Sequence, residues 1–225
     1  MIYNKKVTAV ILAAGNSIRY GQNRNKNFEI INGKHVLLYS LEKFDKNRYI
    51  DNIKVAAKSD EFNIINKMIK TMDINKEIDL VIGGDSRKKS VYNCIKDDSS
   101  DIVIIHDGAR PAIKQEYINK CLKEMNTYNG VTMGVNSKDT IKIVDKNLNV
   151  ISTTRRDDTW IIQTPQCFDR KILLDMYKKY YDYNITDECE LLEKGGYKIK
   201  VIEGDYTNLK ITTYEDLKII KNFLW

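Results

Sequence analysis

Short, continuously apolar runs alternate with amphipathic stretches along most of the chain. Runs that stay apolar instead of alternating in polarity are typical of strands buried on both faces, and they occur at residues 7–14, 53–57, 80–82 and 102–105. Apolar residues at helical spacing predict helices at residues 36–44, 61–72, 87–95 and 117–125, and a further strand is expected at 131–135. This strand–helix order predicts an α/β fold with a mostly parallel, twisted sheet flanked by helices.

One edge of the predicted sheet is the candidate binding site. Ligands of parallel sheets bind at the carboxyl ends of the strands. Gly15, Gly83 and Asp107 each follow directly after one of the predicted strands or lie close behind it. We therefore expect these three residues to meet at that edge.

Residues 139–156 break the strand–helix pattern. Two β-prone segments at 140–144 and 148–152 flank the polar turn Asp145-Lys146-Asn147, which predicts a hairpin. A lone two-stranded hairpin is marginal in water, so it is expected to pack on its own chain or on a second subunit. The remaining pattern predicts helices at 171–181, 187–194 and 214–223, a strand at 197–202 and an extended piece at 209–212. We expect one domain over residues 1–225 with an arm at about 137–158.

Composition and charge narrow the function classes. Of the 225 residues, 42% are hydrophobic and 30% are charged, which excludes wholesale disorder. The net charge of +6 suits anionic ligands but is too small and too dispersed to favour nucleic acid. The longest basic cluster, Arg87-Lys88-Lys89, is short and has no stacking aromatic beside it except Tyr92. Most of the lysines are interpreted by default as part of a solvent-exposed face.

Cysteine spacing and hydropathy predict the compartment. Four widely separated cysteines, Cys94, Cys121, Cys167 and Cys189, form no metal-binding motif, which favours reduced thiols over disulfides or zinc. The apolar run after Lys5-Lys6 is only eight residues long and leads into a glycine loop, so it is not interpreted as a secretory signal. No stretch approaches the ~20 apolar residues of a membrane helix. We expect a cytoplasmic protein with no membrane partner.

The segment that follows the first predicted strand is the first candidate for chemistry. Ala13-Ala14-Gly15 lets backbone N–H groups approach a ligand, and the cations Arg19 and Lys26 follow within reach. An ordinary strand-to-helix turn with surface cations explains the same residues equally well. The segment has neither the spacing of the dinucleotide fingerprint nor that of the phosphate loop.

Asp107 is the second candidate. An aspartate at the tip of a buried strand is where α/β enzymes hold a divalent metal beside phosphate, although capping a turn is an equal alternative. The adjoining His106 is interpreted as a structural, hydrogen-bonded residue. Two further polar segments, 163–166 (QTPQ) and 208–212 (NLKIT), have no unique meaning by themselves.

Seven motifs in order resemble one family over residues 7 to about 217. They are AAG with Arg19, Gly21 and Lys26; GG with Arg87 and Ser90-Val91; HDGARP; DTIK; Arg156 and Trp160 with QTPQCF; TDE; and NLKIT with EDL. This order resembles the 2-C-methyl-D-erythritol 4-phosphate cytidylyltransferases. The ribitol-5-phosphate cytidylyltransferases share much of the frame, and AAG together with ARP favours the methylerythritol branch. The chain departs from the family pattern at Ser17, Asn25, Asn27 and Gly108, and it lacks a proline expected shortly before Asp139.

The resemblance implies a Rossmann-like nucleotidyltransferase fold and a role for each matching residue. Ala13, Ala14, Gly15, Arg19 and Lys26 would hold CTP and its triphosphate, and Gly83, Asp85 and Ser90 would recognise cytosine and ribose. Asp107 would bind Mg²⁺, while Asp107, Arg110, Thr140, Arg156 and Lys210 would contact the polyol phosphate. Arg19, Lys26 and Lys210 would be catalytic. The family is a homodimer with exchanged arms, so Thr140 and Arg156 would act on the neighbouring subunit.

Three functions remain open at this point. The resemblance favours transfer of CMP from CTP to 2-C-methyl-D-erythritol 4-phosphate with release of pyrophosphate. The first alternative is the same transfer to ribitol 5-phosphate. The second is a nucleotide-binding protein without activity, although retention of Lys26, Asp107, Arg156 and Lys210 argues against it.

Overall fold

The computed structural model describes residues 1–15, 20 and 25–224, and in this part of the chain eleven strands and seven α-helices occur. The strands are β1 (Val7–Leu12), β2 (Ile30–Ile31), β3 (Lys34–His35), β4 (Asn52–Ala57), β5 (Ile78–Ile82), β6 (Ile102–Asp107), β7 (Gly130–Asn136), β8 (Lys142–Val144), β9 (Val150–Thr153), β10 (Trp160–Asp169) and β11 (Ile199–Glu203). The helices are α1 (Val36–Asp45), α2 (Phe62–Ile69), α3 (Arg87–Ile95), α4 (Gln115–Glu124), α5 (Arg170–Lys179), α6 (Cys189–Lys194) and α7 (Tyr214–Ile220).

A seven-stranded mixed sheet organises the body, in the order β11-β7-β10-β6-β1-β4-β5. Strand β10 pairs antiparallel with both β6 and β7, whereas β1, β4, β5 and β6 form a parallel set. The predicted α/β architecture with a mostly parallel sheet is therefore confirmed. The parallel set brings the carboxyl ends of its four strands to one edge, as predicted.

Two apolar layers cover the faces of this sheet. Alternate residues of β1 enter opposite layers, with Ala9 and Ile11 in one and Val10 in the other. Helices α1, α2 and α4 pack on the first face, and α3, α5 and α6 pack on the second. Burial on both faces explains why β1, β4 and β6 are mostly apolar. In β4 the half-buried Lys54 interrupts the apolar run and pairs with Asp98 at 3.0 Å. The same expectation is wrong for β5, which lies at the sheet edge and leaves Ile82 58% exposed.

The central strand β10 was not anticipated from the sequence. Its polar segment Gln163-Thr164-Pro165-Gln166 is buried inside the sheet. Pairing with β7 shifts register between Gln163 and Gln166, so Pro165 occupies the irregularity, where its missing N–H breaks no ladder bond. Residues 209–212, expected as an extended piece, form no strand, although the N–H of Ile211 donates to the carbonyl of Ala109 at 2.9 Å.

The predicted hairpin is present as β8 and β9, which pair only with each other. None of residues 138–162 on the arm and at the start of β10 is buried. Large apolar side chains lie exposed along it: Ile141, Ile143, Val144, Leu148, Val150, Ile151, Trp160, Ile161 and Ile162. Exposed apolar surface of this kind is typical of interaction sites, and the role of the arm in dimerisation stays a prediction.

Two sequence-based expectations concern cysteines and membranes. Cys94, Cys121, Cys167 and Cys189 are all buried free thiols. Among the described helices, none has both the length and the apolar character needed to span a bilayer.

Candidate active site

A cavity of about 460 Å³ opens at the carboxyl edge of the parallel strands. Its lining comes from the segments that follow β1, β4, β5 and β6, and from the loop before α7. The residues are Leu12, Ala14, Gly15, Lys26, Asn27, Lys58, Gly83, Gly84, Asp85, Ser86, Arg87, Ser90, Asp107, Ala109, Lys210 and Thr212. The predicted meeting of Gly15, Gly83 and Asp107 at one edge is therefore confirmed.

One wall of the cavity is built by the close approach of two loops. A Cβ at Gly83 would lie 2.4 Å from the Cβ of Ala14 and 3.2 Å from Ser90 Oγ, so glycine is required there. The N–H of Gly84 donates to Ser90 Oγ at 3.0 Å, and the Ser90 hydroxyl donates to the carbonyl of Ser86 at 2.9 Å. Ser90 thereby ties the loop between β5 and α3 to the first turn of α3, while Gly83 packs against Ala14 at the end of β1.

A pair of carboxylates lies on the same lining, in contrasting surroundings. Asp85 is an exposed side chain that pairs with Lys89 at 2.8 Å. Asp107 is 7% exposed, and its Oδ2 contacts Lys210 Nζ at 3.0 Å and Arg110 Nε at 3.3 Å. Burial opposes ionisation of Asp107, but the positive charges of Lys210, Arg87 and Arg110 outweigh it and hold the pKa of that carboxyl well below its usual range.

Arg87 enters the cavity from the first turn of α3. Its Nη1 pairs with Glu188, whose side chain is fully buried and also accepts a hydrogen bond from the Tyr177 hydroxyl at 3.0 Å. Desolvation disfavours the charged guanidinium, but Glu188 and Asp107 raise the pKa of Arg87 above its usual value. Arg87 therefore stays charged inside the lining.

His106 lies behind Asp107 and is fully buried. Burial is the dominant influence and lowers the pKa of His106 to about 4, so the ring is neutral near pH 7. Its Nδ1 lies 3.0 Å from Thr164 Oγ1, and its Nε2 lies 3.1 Å from the carbonyl oxygen of Arg110. These contacts agree with the structural role expected from the sequence.

The structure brings together most, but not all, of the predicted site residues. Ala14, Gly15, Lys26, Gly83, Asp85, Ser90, Asp107 and Lys210 line the cavity. Ala13 does not, because it is fully buried and its carbonyl accepts a hydrogen bond from Asn25 at 2.8 Å. Arg110 lies behind the lining and pairs with Asp107. Arg19 lies outside the described residues.

Thr140 and Arg156 are absent from the cavity lining. Both are exposed on the arm, where Arg156 Nη2 donates to Thr140 Oγ1 at 3.3 Å. Within one chain, these two residues accordingly contact each other and not the other predicted substrate-binding residues.

Sequence reasoning missed Lys58, Arg87 and Thr212 as lining residues. Lys58 follows β4, so the rule that ligands bind after parallel strands applies to it directly. Thr212 belongs to the NLKIT segment, which carried no meaning alone. Arg87 had no distinguishing signal, because its partner Glu188 lies 101 residues away in sequence.

The lining fits a divalent cation held jointly with a nucleotide. Among the described residues there is no cluster of three or more histidine, cysteine or acidic side chains that would form an all-protein site. Mg²⁺ is usually bound through one or two carboxylates together with substrate phosphates and water. Asp107, beside the cations Lys210 and Arg87, supplies one such carboxylate.

Comparisons with known proteins agree with this geometry. Residues 7–225 match the family model for 2-C-methyl-D-erythritol 4-phosphate cytidylyltransferase (IspD). Relatives with that name from Caldanaerobacter subterraneus and Clostridium tetani are 40% and 41% identical, over 97% of this chain and 98% and 90% of theirs.

Solved structures extend the similarity to the fold. The 4-diphosphocytidyl-2C-methyl-D-erythritol synthase of Anaerococcus prevotii superimposes with a TM-score of 0.86 at 32% identity, covering 97% of this chain and 98% of that chain. The Francisella tularensis enzyme gives a TM-score of 0.82 at 30% identity, covering 97% and 100%. Cavity, fold and full-length similarity lead to one assignment. The chain belongs to the 2-C-methyl-D-erythritol 4-phosphate cytidylyltransferase family, the nucleotidyltransferases of non-mevalonate isoprenoid biosynthesis.

Proposed function

We propose that the cavity binds CTP and 2-C-methyl-D-erythritol 4-phosphate and transfers CMP to the latter, releasing pyrophosphate. The observation that carries the proposal is the concentration of positive charge around one buried carboxylate: Lys26, Lys58, Arg87 and Lys210 line the same cavity as Asp107. Two anions must approach each other in this reaction, so charge neutralisation and positioning are the enzyme's main tasks.

The nucleotide occupies the half of the cavity between the β1 and β5 ends. Ala14 and Gly15 present backbone to the triphosphate, and Gly83, Asp85 and Ser90 contact the cytosine and ribose. A Cβ at Gly15 would meet nothing within 4 Å, which agrees with an open position beside a ligand. Arg19 and Lys26 contact the triphosphate, as the family resemblance implies.

The chemical step is an in-line displacement at the α-phosphorus. A phosphate oxygen of the acceptor forms the new P–O bond while the bond to the β-phosphate breaks, and pyrophosphate departs. Lys26 and Lys210 stabilise the charge that develops on the phosphorus and on the leaving group. Mg²⁺, when bound at Asp107 together with the triphosphate, supplies further positive charge.

The acceptor site is completed by a second subunit. Arg110 is already committed to Asp107 and to the carbonyl of Asn208, so a cation from a second subunit would help Lys210 to bind the acceptor phosphate. The exposed apolar arm carries Thr140 and Arg156. Burying the apolar side chains of that arm between two subunits stabilises a homodimer. In this arrangement Thr140 and Arg156 act on the neighbouring subunit's cavity.

We also propose a cytoplasmic location. The four buried, unpaired thiols suit a reducing compartment, where disulfides are rare.

Pyrophosphate release, measured with CTP and Mg²⁺, tests the proposed reaction. Parallel reactions receive 2-C-methyl-D-erythritol 4-phosphate, ribitol 5-phosphate or no acceptor. We expect release that depends on methylerythritol phosphate and exceeds the ribitol phosphate rate. Equal or faster pyrophosphate release with ribitol phosphate would refute methylerythritol phosphate as the preferred acceptor. No pyrophosphate release with either acceptor would refute the proposed activity.

A further inference from the structure

We propose that Asn25 and Asn27 are positioning residues that fix the direction of Lys26 between them. The inference deepens the proposed function and rests on it, because Lys26 stabilises developing charge in the proposed reaction. Lys26 lines the cavity. Its two neighbours are buried polar side chains, with 9% of Asn25 and 3% of Asn27 exposed.

Asn25 joins the segment that carries Lys26 to the ends of two strands. Its Nδ2 donates to the carbonyl of Ala13, directly after β1, at 2.8 Å and to Glu61 Oε1 at 3.0 Å. Glu61 Oε2 accepts in turn from the N–H of Lys58, directly after β4, at 3.3 Å. Because β1 and β4 are neighbours in the parallel set, these two bonds from Asn25, the Asn25 tether, fasten the segment to the edge of the sheet.

Asn27 continues the network on the other side of Lys26. Asn25 Oδ1 accepts from the backbone N–H of Asn27 at 3.1 Å and from Asn27 Nδ2 at 2.9 Å. Asn27 Nδ2 also lies within hydrogen-bond distance of the carbonyl of Ala13, at 3.3 Å. One carbonyl at the end of β1 therefore accepts from the side chains on both sides of Lys26.

The backbone around Lys26 is fixed as well. A short 3₁₀ turn spans Lys26–Phe28, and Asn25 is its N-cap. The carbonyls of Asn25 and Lys26 accept from the N–H groups of Phe28 and Glu29 at 2.9 and 3.3 Å. Both peptide groups that flank Lys26 are thus hydrogen-bonded, so its side chain leaves the backbone in one direction.

The side chain of Asn27 also reaches the residue that follows β6. Its Oδ1 is buried and has no hydrogen-bond partner among the described residues. A Cβ at Gly108 would lie 2.9 Å from that oxygen, so glycine leaves the room that the amide occupies. A buried amide oxygen without a partner is costly, and exceptions of this kind indicate a constraint other than stability. Asn25, Asn27 and Gly108 are also positions at which the chain departs from the family pattern, so the network is a feature of this chain.

Asn25→Ser separates the Asn25 tether from the local turn. Serine is also a good N-cap residue, so its hydroxyl can still accept from the N–H of Asn27, but it is too short to reach Glu61. We expect kcat to fall by about 10-fold or more, because a misplacement of about 1 Å at a reacting group has effects up to ~10². The KM for the acceptor should stay within about threefold, since Lys210 and the arm are untouched. A wild-type kcat would mean that the local turn alone suffices, which overturns the inference.

The same substitution in Lys26→Ala protein shows whether Asn25 acts through Lys26. Residues that act as one unit have non-additive effects. In the Lys26→Ala background, Asn25→Ser should therefore lower kcat by no more than about twofold. A further loss of about 10-fold would show that Asn25 supports the site by another route and would overturn the positioning role.

Asn47→Ser is the matched control. Asn47 is 2% exposed, its Oδ1 accepts from the N–H of Tyr49 at 2.9 Å, and its Nδ2 donates to Gln115 and Asn119. It lies between α1 and β4, at the opposite end of the parallel strands from the cavity. Urea unfolding should show a loss of stability in both serine variants, whereas kcat should fall only in Asn25→Ser. An equal fall of kcat in both variants would reduce Asn25 to a structural role.

Limited digestion with trypsin, which cleaves after lysine, supplies a readout that is independent of activity. Cleavage of the Lys26–Asn27 bond, followed by mass spectrometry, reports how often this segment opens. Cleavage there should be at least about fivefold faster in Asn25→Ser than in the wild type or in Asn47→Ser. Equal cleavage rates would show that the Asn25 tether does not hold Lys26. Wild-type protein that releases no pyrophosphate would instead refute the proposed function, while the cleavage rates would still decide whether the tether exists.

Discussion

The cavity and the arm handle their polar and apolar groups in opposite ways. In the cavity wall, Asp107 is buried and contacts two cations, and Arg87 is held by the fully buried Glu188. On the arm, Thr140 and Arg156 are exposed and contact each other, and the apolar side chains around Ile151 face solvent. The charged groups of the cavity are thus paired and positioned within one chain, whereas the apolar side chains of the arm stay exposed within one chain.

This contrast assigns different physical roles to the two regions. Each buried charge in the cavity wall is balanced by a partner of opposite charge, so removing one of them leaves the other unpaired. Because these charges lie at the proposed reaction site, substitutions in the cavity should lower kcat directly. Exposed apolar groups gain little until they are buried, so substitutions on the arm should act through association.

The largest effect is expected from the cavity lysines. Lys210→Ala or Lys26→Ala should lower kcat by ~10²–10³, because each removes a charge that stabilises the transition state. Lys46→Ala, an exposed lysine that pairs with Glu42 on the surface, is the control and should leave kcat unchanged. A kcat near that of the wild type in both cavity variants would show that Lys26 and Lys210 do not stabilise the transition state.

Asp107→Asn separates the carboxylate's charge from its shape. Asparagine keeps the size of the side chain and the backbone N–H bond to Thr164, but it no longer neutralises Lys210 and Arg110. We expect kcat to fall on the order of 10²-fold, with more Mg²⁺ needed for half-maximal activity. An unchanged Mg²⁺ requirement in a titration of activity would mean that Asp107 does not hold the metal.

Ile151→Asp addresses the arm. Ile151 is 65% exposed, so the folding stability of one chain should change by no more than ~0.5 kcal/mol. If the arm is buried between subunits, the dissociation constant of the dimer should rise by ~10-fold or more, as measured by sedimentation velocity. Ile219→Asp, at a residue of α7 that is also exposed, is the control and should not affect the dimer.

The smallest effect is expected for surface charge outside both regions. Hydrogen bonds from Lys34 and Lys46 lower the pKa of Glu42 to about 2. A depressed carboxyl pKa stabilises the fold above the ordinary value near 4.5, and that contribution is lost as pH falls toward 2. Because the group is partly exposed, Glu42→Gln should lower the free energy of unfolding by at most ~1 kcal/mol near pH 7 and by much less at pH 2, with kcat unchanged. If Glu42→Gln lowers the free energy of unfolding as much at pH 2 as at pH 7, the predicted direction of this pH dependence is wrong.

Hydrophobic pattern predicted the body well where strands are buried on both faces. β1, β4 and β6 follow from that pattern, and so does the edge that carries Gly15, Gly83 and Asp107. The pattern failed at β10, because Gln166 is satisfied by Thr132 and Asp187 inside the sheet and Pro165 lies in a register irregularity. Polar partners far apart in sequence leave no local signal of burial.

The cluster Arg87-Lys88-Lys89 shows the same limit in the site. The three adjacent cations have different partners. Arg87 pairs with Glu188, and Lys89 pairs with Asp85. Lys88 donates hydrogen bonds to the carbonyls of Tyr180, Tyr181 and Tyr183. The family resemblance recovered Asp85, Ser90 and Lys210, but it did not assign Arg87 a role. Tertiary contacts over more than 90 residues decide which of these cations faces the cavity.

Subunit mixing tests most directly the claim that one chain's cavity works with another chain's arm. Lys26→Ala and Arg156→Ala proteins, each inactive alone, are mixed and allowed to exchange subunits, with exchange verified by mass-tagged heterodimers. Half of the statistical dimers are then heterodimers, and each holds one intact and one doubly altered site, so roughly a quarter of full activity should return. No recovery despite proven exchange would place Arg156 in its own chain's site and contradict its action on the neighbouring subunit.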